Sequence, residues 1–164
     1  MASIEIIRDY FPGVLGRVTE LHGQYYGKHW GFGTYFEARV AKDLAAFLER
    51  YDIVRDGLWT ATLNGIVEGA IAIDGLNAKT AGAHLRWFIV SEVLQGSGLG
   101  RRLLDIAIEH CRERSYWGVY LHTFEGLTAA RHLYEQYGFK LVDQTLGTQW
   151  GAEVREQKFL LEFR

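Results

Sequence analysis

The stretch VLQGSGLGRRLLD, residues 93–105, constrains the fold more than any other part of the sequence. Gly96, Gly98 and Gly100 lie within five residues, after an apolar run that predicts a strand and before an apolar pattern typical of a helix. Glycine inside a regular element costs roughly 0.5–1 kcal/mol relative to alanine. Three glycines so close together therefore indicate a sharp turn, or a ligand that approaches the backbone closely.

Strands and helices are predicted on both sides of this loop. Alternation or apolar content predicts strands in SIEIIR, GLWTATL, IVEGAIAI, GAHLRWFIV, GVYLHTF, FKLVDQT and VREQKFLLEF. Helical periodicity predicts helices from Pro12 onward, in TYFEARVAKDLAAFLERY, from the glycine loop to about Arg114, and in LTAARHLYEQYG. We predict a single α/β domain over residues 1–164. Its mixed central sheet has about seven strands, the order is β-α-α-β-β-β-α-β-α-β-β, and a parallel crossover surrounds the glycines.

Composition narrows the range of partners. Apolar residues make up 48% and charged residues 23% of the chain, and the formal net charge is −2 without a run of Lys and Arg. These values favour a globular protein and give no reason to expect nucleic acid as a partner. The apolar runs are shorter than a membrane span, and the first residues lack a signal-peptide core. A single cysteine, Cys111, fits the reducing cytoplasm and is predicted to be a core residue of its helix.

The glycine loop predicts an anion site. Free N–H groups at the start of a helix, together with the helix dipole, favour phosphate, and Arg101 and Arg102 add positive charge nearby. The alternative is a tight connection in which the glycines serve only for turning. The P-loop pattern fits poorly because no Lys-Ser or Lys-Thr follows. The dinucleotide pattern G-x-G-x-x-G fits poorly because Arg101 stands where its third glycine is required.

QGSGLG instead fits Q/R-x-x-G-x-G/A and resembles the coenzyme A pyrophosphate signature of the GNAT family of N-acetyltransferases. The preceding LRWFIV, the following helix and the later AARHLYEQYGF stand in that family's order, so the likeness is specific over about residues 82–140. FEGLTAARHLYE and GTQWGAEVREQKFLLEF also resemble GNAT domains that are fused to MarR-type regulators, which suggests a subfamily and not a regulatory role. The resemblance implies a GNAT-like fold and an acyl-CoA-dependent N-acyltransferase.

The resemblance also implies where acetyl-CoA would bind. The backbone of Phe88, Ile89 and Val90 would hydrogen-bond the pantetheine arm, and a strand amide near Val90 would hold the thioester carbonyl oxygen. The pyrophosphate would be wrapped by Gln95, Gly96, Ser97, Gly98, Leu99, Gly100 and Arg101.

Tyr134 stands where the family keeps its general acid, four residues before Gly138-Phe139, and it would protonate the departing thiolate. Packing in the apolar stripe of its helix is the alternative role for this tyrosine. The sequence departs from the family at Leu127, where members often have an asparagine that contacts the coenzyme. Thr128 or the backbone would have to replace that contact.

His84 is the candidate base that would take a proton from the attacking amine. It lies six residues before Val90, where several relatives carry a glutamate or histidine base. Strict strand alternation predicts that one face carries His84, Arg86, Phe88 and Val90. An inert, hydrogen-bonded histidine at the sheet rim is the alternative. Glu68 and Glu125 are weaker candidates for the base.

The run QYYGKHWGFGTYF interleaves aromatics with glycine between the first two helices. GNAT domains cover the acceptor site with this segment, so the resemblance implies that Tyr25, Tyr26, His29 and Trp30 line the amine pocket, and Trp150 would close the same cleft. An aromatic lid that packs on the core or on a partner subunit is the alternative.

The sequence thus predicts transfer of acetyl from acetyl-CoA to a primary amine of a small molecule by direct attack. Open alternatives are a longer acyl donor, a non-catalytic acyl-CoA sensor, and acetylation of a protein terminus or lysine. We expect no metal, because His22 and His29 are seven residues apart and match no ligand motif. We also expect no nucleic-acid or membrane partner, and a homodimer is an open possibility.

Overall fold

The predicted order of elements is confirmed by a computed structural model, which describes residues 3–164. Helix α1 continues through YYGKHW and ends only at Gly31, whose φ of 69° forms a left-handed cap. The aromatic run therefore belongs largely to a helix and not to a connecting loop. The elements are β1 Ile4–Arg8, α1 Val14–Trp30, α2 Thr34–Glu49, β2 Gly57–Leu63, β3 Ile66–Asp74, β4 Ala83–Val90, α3 Leu99–Glu113, β5 Gly118–Phe124, α4 Thr128–Gln136, β6 Lys140–Gly147 and β7 Val154–Glu162, with a short 3₁₀ turn at Glu92–Leu94.

The seven strands form one mixed sheet in the order β1-β2-β3-β4-β5-β7-β6. Neighbouring strands are antiparallel except β4 and β5, which pair in parallel on either side of the crossover through α3. Strand β7 inserts between β5 and β6, so the β6–β7 hairpin forms the end of the sheet. The sequence predicted the strands and the parallel crossover, but not this insertion.

Both faces of the sheet are covered. Helices α1 and α2 pack on one face through residues such as Val18, Leu44 and Phe47, and α3 packs on the other through Leu103 and Leu104. Cys111 is fully buried in the α3 layer, as predicted. Burial of apolar surface on both faces stabilises the central strands in the way expected for a three-layer α/β protein. Within residues 3–164, no helix is long and apolar enough to cross a membrane.

Strand β4 contains a bulge that the sequence did not reveal. Its register against β3 shifts between Ala70 and Ala72, and Trp87 has a φ of 48°. Leu85 therefore joins the α3 layer before the bulge, whereas Trp87 at the bulge and Ile89 after it join the α1–α2 layer. The prediction that His84, Arg86, Phe88 and Val90 share one face is wrong, because one extra residue reverses the alternation.

The same strand separates from β5. The two strands pair only at Ala83 with Val119 and at His84 with Tyr120. Beyond that point, the edge of β4 that faces β5 lacks a strand partner among the described residues. The gap opens directly before the loop that leads into α3, and it therefore positions a cleft beside the glycine loop.

We predict that Leu104→Ala lowers the free energy of unfolding by about 2–5 kcal/mol, because it leaves a cavity at a fully buried position of α3. The matched control is Leu146→Ala on β6, where the leucine is 58% exposed and the loss should stay below about 1 kcal/mol. Urea unfolding followed by circular dichroism measures both values. Equal losses would contradict the described core.

Candidate functional site

A cavity of about 720 Å³ lies where β4 and β5 part. It runs from the start of α3, on one face of the sheet, to the facing sides of α1 and α2 on the other. The gap between the strands thus joins two chemically different ends in one continuous space. The predicted site residues that line it are Tyr25, Tyr26, His84, Phe88, Ile89, Val90, Gln95, Gly96, Gly98, Leu99, Gly100, Tyr134 and Trp150.

The end beside α3, which we call the loop end, is rich in free backbone donors. Gly96 and Gly98 have φ values of 80° and 83°, and an added Cβ would meet no atom within 4 Å at either position. Glycine is thus needed there for its conformation. The N–H groups of Gly98, Gly100 and Arg101 have no hydrogen-bond partner among the described residues. Together with the dipole of α3 they form a site suited to an anion.

Gly100 borders the cavity itself. A Cβ at this position would lie 3.5 Å from Phe88, 3.7 Å from Leu133 and 3.9 Å from Val90. Any longer side chain would extend from there toward the space between these apolar groups. The absence of a side chain at Gly100 keeps the loop end open along β4.

The side chains of two predicted loop residues are engaged within the protein and do not line the cavity. The hydroxyl of Ser97 donates to the Leu94 carbonyl at 2.5 Å and accepts from the Leu99 N–H at 3.3 Å. The Arg101 guanidinium donates to Gln136 on α4 and does not line the cavity. Arg101 therefore offers an anion only its free backbone N–H, because its side chain binds α4.

Tyr134 lies on α4 with only 6% of its surface exposed, and it lines the cavity. Its ring packs 6.1 Å from that of Phe88, between centroids, and 5.8 Å from that of Phe139. The hydroxyl makes no hydrogen bond with the described residues, and the residue lines the cavity. Burial raises the pKa of this phenol above its ordinary value, so it is protonated at neutral pH and is a weaker acid than an exposed tyrosine.

His84 lines the cavity as a partly buried ring. It stacks on Tyr120 with 4.4 Å between centroids and meets His122 edge-on at 5.5 Å. Desolvation, reinforced by the positive charge of Arg86, lowers the pKa of His84 to about 3. The imidazole is therefore neutral at physiological pH, and its low basicity weakens it as a proton acceptor.

Only two of the four residues predicted to line the amine pocket from the end of α1 line the cavity. Tyr25 and Tyr26 line the cavity from α1, and their rings meet edge-on at 5.0 Å. His29 points away and contacts Glu92 at 2.7 Å, and Trp30 packs edge-on against Phe124 at 4.8 Å. His29 and Trp30 are therefore wrong as lining residues, because the last turn of α1 has already passed the cavity.

The weaker candidate bases, Glu68 and Glu125, form ion pairs outside the cavity, whereas Leu127 lies in it. Glu68 is buried in an ion pair with Arg17 and accepts from Ser91, and exposed Glu125 pairs with Arg155 at 3.1 Å. Neither glutamate lines the cavity. Leu127 lines the cavity at the start of α4, so the departure from the family pattern lies in the site itself.

Charged side chains at the opposite end, which we call the helix end, were missed by the sequence analysis. Arg39 and Asp43 on α2 and Arg86 on β4 line the cavity there. Arg39 donates to the Gln149 carbonyl and so ties α2 to the β6–β7 turn that carries Trp150. Arg39 and Asp43 are four residues apart, and an oppositely charged pair at this spacing is typical of a solvated helix face. Nothing in the sequence indicated that Arg86 on β4 would lie beside this pair.

Comparison with known proteins agrees with this geometry. Residues 16–139 match a family described as the acetyltransferase (GNAT) family. The Escherichia coli protein YjgM, an uncharacterised N-acetyltransferase, is 31% identical over 90 residues. That alignment covers 54% of this chain and 54% of YjgM, so the chain matches about half the length of that relative.

Solved structures share the fold at low sequence identity. An acetyltransferase of the GNAT family from Staphylococcus aureus has a TM-score of 0.76 at 18% identity, with 99% of this chain and all of that chain covered. A Salmonella typhimurium protein determined with its cofactor acetyl-CoA has a TM-score of 0.73 at 18% identity, with 97% and 93% covered. The likeness to domains fused to MarR-type regulators stays a prediction.

We predict that Gly98→Ala destabilises the protein by about 1–2 kcal/mol, because alanine must adopt the left-handed conformation before α3. Gly16→Ala is the matched control, since Gly16 lies inside α1 with no atom within 4 Å of an added Cβ. It should stabilise the protein by roughly 0.5–1 kcal/mol. Chemical unfolding measures both changes. A neutral Gly98→Ala would contradict the loop conformation.

We also predict that His84 makes stability fall in acid. Its pKa is about 3 in the folded protein and about 6.5 in the unfolded chain. As the pH falls below about 6.5, the unfolded chain therefore gains the proton first, and the free energy of unfolding declines by up to about 1.4 kcal/mol per pH unit. Unfolding of His84→Gln between pH 7 and pH 4 should show a shallower decline. A slope equal to that of the wild type would contradict the neutral imidazole.

Proposed function

Because the chain belongs to the GNAT family of acetyltransferases, we propose that it transfers an acetyl group from acetyl-CoA to a primary amine of a small molecule. The observation that carries this proposal is that one cavity is lined both by Gly98 and Gly100, whose amides are free, and by Tyr134, whose hydroxyl has no hydrogen-bond partner among the described residues. An anion site at one end and a buried proton donor farther along match what a coenzyme A thioester presents.

The loop end has the features that acetyl-CoA requires. The N–H groups of Gly98, Gly100 and Arg101 would hold the pyrophosphate, and the open space at Gly96 and Gly98 admits it against the backbone. The pantetheine arm would lie along Phe88, Ile89 and Val90, on the edge of β4 that β5 leaves free. This arm would extend β4 on the side where the sheet is open.

Tyr134 is the proposed general acid. Acetyl-CoA supplies an activated thioester, whose carbonyl carbon an amine attacks while the sulfur leaves with the bonding electrons. Tyr134 would donate its hydroxyl proton to that sulfur, because the phenol is protonated at neutral pH and would lie beside the thiolate as it forms. A backbone N–H near Val90 would stabilise the negative charge on the carbonyl oxygen.

His84 is proposed to receive the proton of the amine, directly or through water. With a pKa of about 3, its imidazole accepts a hydrogen bond readily but binds a full proton weakly. We therefore expect His84→Gln to lower turnover by no more than about 10-fold, at the lower limit of general acid–base contributions. Orientation of the amine, and not proton uptake alone, would account for such an effect.

The aromatic lining of the helix end supports a small acceptor. Tyr25, Tyr26, Phe36 and Trp150 line it, and Arg39 ties the turn that carries Trp150 to α2. A lysine side chain or a chain terminus of a folded protein would need an open groove in this place. A free amine with an apolar body fits these walls better.

We predict that the wild type binds acetyl-CoA and releases thiol with at least one amine from a panel of amino acids, polyamines, aminoglycosides and short peptides. Tyr134→Phe should lower kcat by about 100-fold or more while acetyl-CoA still binds, because only the acid is lost. Tyr137→Phe is the matched control, since its hydroxyl contacts Asp105 outside the cavity, and it should keep the wild-type rate. Calorimetry and a thiol-release assay measure both properties.

Three outcomes would contradict parts of the proposal. Failure of both coenzyme A and acetyl-CoA to bind would reject it as a whole. Binding without thiol release on any amine would favour the acyl-CoA sensor instead. Wild-type rates for both Tyr134→Phe and His84→Gln across pH 6–9 would reject the two residue roles but not the transfer itself.

A further inference from the structure

Arg86 is short of hydrogen-bond acceptors at the helix end. Its side chain is 23% exposed, and its Nη1 lies 3.5 Å from an oxygen of Asp74 while its Nη2 lies 3.7 Å from one of Asp43. Charge-assisted hydrogen bonds normally measure about 2.7–2.9 Å, and a guanidinium carries five N–H donors. A largely buried cation with only two long contacts is incompletely paired.

The carboxylates near Arg86 do not satisfy it. Asp74 already accepts two hydrogen bonds from Arg50, at 3.0 and 2.6 Å, and a third from the Leu76 N–H at 3.2 Å. Asp43 lies 3.7 Å from both Arg39 and Arg86 and accepts a close hydrogen bond from neither. Arg86 therefore lacks a close anionic partner within the described chain.

The charges at this end do not cancel. Arg50 and Asp74 neutralise each other, which leaves Arg39 and Arg86 facing the single carboxylate of Asp43. The excess is one positive charge beside the cavity. Desolvation is the main cause of the lowered pKa of both His84 and His122, and the positive charge of Arg86 adds to each shift.

Arg86 is also held in a fixed orientation. Its guanidinium carbon lies 4.2 Å from the ring centroid of Trp87, the bulge residue, and that ring packs against Phe47 at 5.3 Å. Stacking on a buried indole restricts the guanidinium plane. A planar and oriented fork is the arrangement that binds a carboxylate through two parallel hydrogen bonds.

We infer that the acceptor carries a carboxylate that binds Arg86, and that it is a free amino acid with an apolar or aromatic side chain. Its side chain would pack against Tyr26, Phe36 and Trp150. Polyamines and aminoglycosides, which bring further positive charge, would be disfavoured. This inference rests on the proposed function and adds the substrate class.

Matched pairs of acceptors test the inference with the wild-type protein. Each pair compares an amino acid with the same molecule lacking its carboxylate: L-phenylalanine with 2-phenylethylamine, L-leucine with 3-methylbutylamine, and L-methionine with 3-(methylthio)propylamine. We expect kcat/KM, measured by thiol release from acetyl-CoA, to be about 10- to 100-fold higher for the carboxylate member of at least one pair.

Arg86→Gln should remove this preference. We expect it to raise KM for the amino acids by about 10- to 100-fold, with little change for the decarboxylated amines, while Arg86→Lys keeps part of the preference. Arg155→Gln is the matched control, since Arg155 pairs with Glu125 outside the cavity, and it should behave as the wild type. Thermal unfolding and acetyl-CoA binding identify a variant that is merely misfolded.

The inference fails if the wild type handles both members of every pair equally, a result that needs no variant. It also fails if Arg86→Gln slows both members to the same extent. If acetyl-CoA binds but neither these pairs nor the wider amine panel releases thiol, the proposed function fails, and calorimetry of the same pairs on coenzyme A-loaded protein then tests the inference separately. In that titration, equal binding of the two members, or no binding of either, overturns it.

Discussion

Strands β4 and β5 share hydrogen bonds at two residue pairs and then diverge, and the remaining features of the site depend on that separation. A continuous sheet would have sealed the two helical layers from each other. Because the sheet is open here, α3 and α4 can contribute an anion site and a buried phenol from one face, while α1 and α2 contribute aromatic and charged groups from the other. Side chains from both helical layers therefore line the same cavity.

The bulge at Trp87 determines which side chains face each end. A non-glycine residue with positive φ costs on the order of 1–3 kcal/mol, and it persists only where the surroundings hold it. Here Phe47 packs on one side of the Trp87 ring and Arg86 lies over it. The bulge places Phe88 and Val90 toward α3 while Arg86 remains on the side of α2.

Sequence patterns were sufficient for the elements and for the loop end. Alternation, helical periodicity and the three glycines are local signals, so the strands, the crossover and the positions of Gly96 and Gly98 could be read directly. The bulge, the insertion of β7 and the meeting of Arg39, Asp43 and Arg86 depend on pairing between distant segments. No local pattern encodes such pairing. His29 and Trp30 were misplaced because α1 continues to Gly31, so that its last turn lies past the cavity.

The β6–β7 hairpin has a consequence for how this scaffold can diversify. Its turn, residues 148–153, borders the helix end through Gln149 and Trp150, yet it contributes no residue to the loop end. Insertions or exchanges in this one connection would reshape the helix end and leave the loop end intact. Chains that share this architecture can therefore vary one end of the cavity by changing a single short peripheral segment.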